Sequence, residues 1–168
     1  MKSNILTLPR FKFQELDLSS VKFYLFSFLF VVGNLLLPYL LHQFFIGGAI
    51  GGKIFLPLYF FVLVGAYQFG WKLGLTIAIF TPLMSQMLTG MPNTMMLFMV
   101  LVKSALLAFF ASYFAKRTRK LSLVNVFLVV LGYQILGTLV EMVFFRDFSF
   151  TDFLVGYPGL LVQILGGF

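Results

Sequence analysis

The chain has 168 residues, about one domain's length, yet 61% are hydrophobic and only 10% charged, with a mean hydropathy of +1.03. A water-soluble domain of this size cannot hide so much apolar surface, so the composition predicts a polytopic, all-α membrane protein solvated by the lipid bilayer. The net charge of +7 lies between apolar runs, which indicates membrane orientation and no nucleic-acid partner; with no cysteine and one histidine, thiolate and multi-histidine metal sites are excluded.

Residues 1–20 read as a cytoplasmic N-terminal arm, in which Lys2, Arg10 and Lys12 oppose Glu15 and Asp17. Phe11, Phe13 and Leu16 suit this arm to lying at the membrane surface. The next apolar run is too long for a signal-peptide core and lacks a small-residue cleavage pattern, so it opens a membrane domain over 21–168. Ser20 is placed to cap a first helix over 21–45. The run I-G-G-A-I-G-G-K (46–53) makes a flexible outer loop, and Pro57 sits near the start of a second helix over 54–70. Gly70, Trp71 and Lys72 form a turn into a third helix, 72–89. The turn G-M-P-N (90–93) leads to a fourth, 94–115, and the cluster K-R-T-R-K (116–120) follows. A fifth helix spans 121–144, and after the charged turn at 145–152 a sixth covers 152–168, bent at Pro158.

With the N-terminus inside, nine basic residues fall on the cytoplasmic side and two, Lys53 and Arg146, outside. That bias predicts six transmembrane helices with the N-terminus and C-terminus both cytoplasmic.

Against this apolar background each polar residue within a span needs a partner or a ligand. Lys103 lies about 15 Å into the fourth helix, where a charge costs at least about 2.5–3.5 kcal/mol. Three readings stand: an ion pair with Glu141, the one acid within a span, a lysine kept neutral, or a counter-charge for an anionic, partly aromatic ligand. Gln134, Gly137, Thr138 and Glu141 share a face of the fifth helix, which suits a cavity or helix–helix hydrogen bonds. Thr81, Ser85 and Thr89 form a stripe on the third helix beside Gln86, climbing toward Asn93 and Thr94; back-bonding to their own helix is the alternative role. His42 and Gln43 stand near the outer end of the first helix and Asn34 lies deeper. Met95, Met96 and Met99 flank Lys103, as packing or as the lining of a flat ring's site. Gly74 and Ala78, Ser104, Ala108 and Ser112, and Ala111 and Ala115 form small-residue stripes for close helix packing, internal or against a partner. No nucleotide-binding loop, metalloprotease helix, nucleophile elbow or hydrolytic acid pair is present, so no catalytic residue and no enzymatic activity is expected.

The segments L-L-P-Y-L-L-H-Q-F (36–44), I-F-L-P-L-Y (54–59), G-A-Y-Q-F-G-W-K-L-G (65–74) and T-P-L-M-S-Q-M-L-T-G-M-P (81–92) resemble substrate-binding S components of energy-coupling-factor (ECF) vitamin transporters, over roughly residues 25–165. The resemblance implies a multi-pass protein of the bacterial inner (cytoplasmic) membrane that captures a vitamin or related micronutrient at the outer face. It implies a transmembrane coupling subunit and two cytoplasmic ATPase subunits as partners in an ABC importer. ATP would be used there, with no cofactor in this chain. The implied pocket takes in the 90–93 turn with Asn93, the fourth helix to Lys103, Gln134 and Glu141, and Tyr157 and Gln163. The substrate-binding set is then Lys103, Glu141, Gln134, Asn93, Ser85, Gln86, Met99, His42 and Tyr157. The chain departs from the family pattern at Lys103, often an acid, and at Tyr59, often a histidine. Its first helix lacks the alanine pair that docks the coupling subunit, having only Ser27 and Gly33 as small residues. A different class of reading is a membrane scaffold of the rod-shape morphogenesis type with no small-molecule ligand. A lone channel or carrier fits less well, because the polar residues concentrate toward the outer half.

Overall fold

The computed structural model describes residues 13–44, 59–90, 92–119, 121–145, 160, 161, 163–165 and 167, and every regular element among them is α-helical. Helix α1 is Val21–Phe44, α2 Phe60–Phe69, α3 Trp71–Thr89, α4 Thr94–Thr118 and α5 Leu123–Phe145. Leu160, Leu161 and residues 163–165 are also helical. Among the described residues, two helices are long and apolar enough to cross a membrane, α4 over Met96–Thr118 and α5 over Leu123–Phe144. The predicted loop 46–53, Pro57, the charged turn from Arg146 onward and the bend at Pro158 lie outside the described residues.

Helix ends follow local chemistry. Ser20 caps α1, its hydroxyl accepting from the Lys22 N–H at 3.2 Å. The predicted three-residue turn at Gly70–Lys72 is narrower than expected. Gly70 alone connects α2 to α3, with φ +93° and ψ 172°, a conformation reserved for glycine, and Trp71 is already helical. Gly90 ends α3 in the left-handed region, and the Asn93 side chain caps α4 by accepting from the Met96 N–H at 2.8 Å. Helix α4 runs three residues past its predicted end, because Lys116 and Arg117 in the last turn suit the negative end of the helix dipole. It stops at Arg119, which adopts φ +49° and returns its N–H to Ala115.

The start of α1, the end of α2, the start of α3 and the end of α4 meet at one end of the bundle, here called basal; Gly90 and Asn93 mark the distal end. Residues 13–17 tie the basal end together. The C-terminal carbonyls of α2 have no partner within their own helix. The Gln14 N–H donates to Gln68 O and the Leu16 N–H to Phe69 O, both at 3.1 Å. Lys72 pairs with Asp17 at 2.8 Å and Lys116 with Glu15 at 2.9 Å. Leu16 is buried in the core and Phe13 packs against it. These two residues therefore face the bundle, where orphan carbonyls and buried apolar contacts hold them, and not a membrane surface as the sequence suggested.

The Lys72 ammonium bonded to Asp17 holds that carboxyl below its ordinary value of 3.8. A group depressed in the folded state stabilises it above its unfolded value and loses that contribution as pH falls through the folded value. Hydrogen-exchange protection of residues 13–17 should therefore drop below about pH 3.8, the ordinary aspartate value, and Asp17→Asn should be less protected at neutral pH. Equal protection in the variant would show that the strap does not depend on this pair.

Within the bundle α3 packs on α1, α2 and α4, and α4 also on α2 and α5. Phenylalanines join α1 to α2: Phe26 stacks on Phe69 at 4.6 Å between centroids, and Phe30 lies 5.7 Å from Phe61. Small residues join α2, α3 and α4. A Cβ on Gly74 would collide with the Ala66 Cβ and lie 3.1 Å from the Ala108 Cβ. Ala78, Ser104, Ala108, Ala111, Ser112 and Ala115 are all buried, so these stripes are used for internal packing.

Candidate functional site

Lys103 and Glu141 meet across the α4–α5 interface, with Nζ 2.7 Å from Oε1 and side chains 16% and 30% exposed. Side chains on a helix tilt toward its N-terminus, which for α4 is the distal end, so the lysine stem climbs toward Glu141. Gly137 makes room for that stem: a Cβ there would lie 2.6 Å from the Lys103 Cγ. Of the roles read for Lys103 from the sequence, the ion pair with Glu141 is the one present here.

A buried aromatic and amide set joins the start of α2, α5 and the C-terminal residues. Tyr59 and Tyr133 have ring centroids 5.8 Å apart, and the Tyr133 hydroxyl donates to Gln163 Oε1 at 2.8 Å. Glu141 is within electrostatic reach of Tyr59. The Tyr133–Gln163 bond fastens the 160–165 segment to α5, and the close approach of Gly167 to Leu63 and Val126 continues that contact.

A second polar set sits at mid-height among α1–α4. Pro82 inside α3 has no N–H to give the Ala78 carbonyl. The Ser104 hydroxyl reaches that carbonyl at 3.0 Å across the interface, and Val100 O at 2.7 Å and Leu101 O at 3.1 Å on its own helix, so its one proton can replace the proline's missing donor when turned toward α3. One residue before the proline, the Thr81 hydroxyl accepts from Asn34 Nδ2, and Asn34 Oδ1 accepts the orphan Phe61 N–H of the first turn of α2, both at 3.3 Å. Asn34→Leu strands both partners and should cost about 1–3 kcal/mol. Thermal melting of this variant beside Thr81→Val, which leaves Phe61 capped and should cost less, checks the assignment.

The structure brings together part of the predicted binding set. Lys103 and Glu141 touch, while Gln134 and Met99 are half-buried on their respective helices. The fully buried face of α5 is Val126, Val129, Val130, Tyr133 and Gly137, so Gln134, Thr138 and Glu141 lie on its flank and not at its centre. Ser85 and Gln86 are half-buried near the distal end of α3, Thr89 donates back to Ser85 O at 2.8 Å, and Asn93 is occupied as a helix cap. His42 falls in the last turn of α1 with its side chain outside the described residues, and Tyr157 lies wholly outside them. Tyr133 was not singled out from the sequence. Its place one residue before Gln134, on the valine stripe of α5, is the signal that marks it. No protein-family model, curated protein or solved structure matches this chain.

Proposed function

We propose that this chain is the substrate-capturing membrane subunit, the S component, of an ECF-type importer. It binds a vitamin-like micronutrient from the outer side of a bacterial cytoplasmic membrane and delivers it with a transmembrane coupling subunit and two ATPases. In this reading the chain crosses the bilayer six times with both termini cytoplasmic. Large apolar side chains exposed along the helices, such as Phe28 and Leu29 on α1, Phe109 on α4 and Leu139 and Phe144 on α5, suit a lipid environment. Among the described residues every lysine and arginine except Lys103 lies at the basal end, which supports a cytoplasmic basal face. Both small residues of α1 turn inward: Ser27 is buried and Gly33 abuts the Phe61 ring. Docking on a coupling subunit through α1 would then use bulky residues such as Tyr24 and Phe28.

The observation that carries the reading is the partly exposed Lys103–Glu141 pair, set between apolar helices. Charged groups inside a membrane bundle are expensive, and an intramembrane ionisable pair is by default a candidate functional site. Native mass spectrometry of the purified protein should reveal a retained small organic molecule, and a thermal-shift panel of B vitamins and their precursors should give at least one hit. Neither a retained molecule nor a hit would reject it.

One observation favours the scaffold reading: Lys103 is already neutralised within the chain. If Lys103→Met/Glu141→Gln leaves cellular function intact while polar substitutions at Phe28 and Leu29 abolish it, the scaffold reading wins.

A further inference from the structure

Taking the binding reading above as its basis, we infer that the Lys103–Glu141 site admits a zwitterionic ligand, one carrying a carboxylate or phosphate together with a cationic nitrogen, and rejects singly charged ones. A free lysine inside the bundle would call for an anion, but Lys103 is paired to Glu141 at 2.7 Å. An anion reaching its ammonium must displace the glutamate and leave that carboxylate without a counter-charge. A cation reaching Glu141 strands Lys103 in the same way. An uncompensated charge in a poorly solvated interior is costly, which offsets what the new contact supplies. A ligand bearing both charges exchanges one pair for two and leaves nothing unpaired.

The geometry suits insertion between the two heads. The lysine stem lies along Gly137, where a Cβ would meet its Cγ, Cδ and Cε. The ammonium lies 2.7 Å from Oε1 of Glu141. An ammonium has three N–H donors and a carboxylate two acceptor oxygens, so both heads keep bonding capacity for a ligand. Both also remain partly exposed, at 16% and 30%, so the pair is not sealed within the packed core.

The test starts from the full chain purified from cells grown in rich medium, with the retained molecule identified by native mass spectrometry. The expected molecule bears both charges. It should be outcompeted by its own unlabelled form, but not by derivatives with the acid esterified or the nitrogen acylated. Lys103→Gln and Glu141→Gln should each lower its occupancy about tenfold or more. The double variant Lys103→Met/Glu141→Gln, with no charge left unpaired, should melt close to the wild type while losing the ligand, which separates binding from folding. A retained monoanion or monocation, or a double variant that still holds the zwitterion, overturns the inference while the capture function stands. If nothing is retained and no panel compound shifts melting, the capture function fails, and this inference with it.

Discussion

Lys103→Ala alone lowers the unfolding free energy by about 3–5 kcal/mol, and Glu141→Ala alone by a similar amount, whereas Lys103→Met/Glu141→Gln stays within about 1 kcal/mol of the wild type. The asymmetry follows from where the charges sit. Each single change removes one half of a 2.7 Å pair and leaves the other among apolar helices. The double change removes both charges, fills the space above Gly137 with a methionine stem, and keeps the volume of the glutamate as a neutral amide. Denaturation in mixed micelles gives the three free energies, and a double-mutant cycle gives the coupling between the two residues. Single variants as stable as the wild type would mean that the pair is solvated and holds nothing together.

The pair also marks how far the sequence could be read. The two residues were legible because a lysine and a glutamate in long apolar runs have few possible partners. Their contact was not, since each had an alternative role that spacing along separate helices cannot decide. Helix ends were legible where a specific residue carries the chemistry, as with Ser20, Gly90 and Asn93. The inner face of each helix was not. On a helix that is apolar all round, the valine stripe leading to Tyr133 is outweighed by the polar residues beside it, and so Gln134 draws the reading to the flank. The compensation of Pro82 by Ser104, 22 residues later in the chain, left no local trace. The strap at residues 13–17 was hidden for another reason. Its acids and the basic residues they meet belong to segments that only the fold brings together.

Gly74→Val should cost about 3 kcal/mol or more and Gly74→Ala about 1–3 kcal/mol, because three helices converge on that glycine. Its added Cβ would collide with the Ala66 Cβ, lie 2.9 Å from the Ala66 Cα and press on Ala108. Backbone and alanine carbons have no rotamer to move to, so α3 would have to lift away from α2 and α4 together. In lipid, apolar side chains gain little by hiding from solvent, and close packing of this kind carries much of the helix association. Gly65 provides the control. A Cβ there would also come close, 2.6 Å from Ile77 Cδ1, but that atom is the tip of a flexible side chain able to swing aside. Gly65→Ala should therefore melt closer to the wild type than Gly74→Ala does. Equal effects at the two sites, or a Gly74→Val protein as stable as the wild type, would place the α2–α3 contact elsewhere. The expected order instead makes Gly74 the residue that sets how closely α3 can approach α2 and α4.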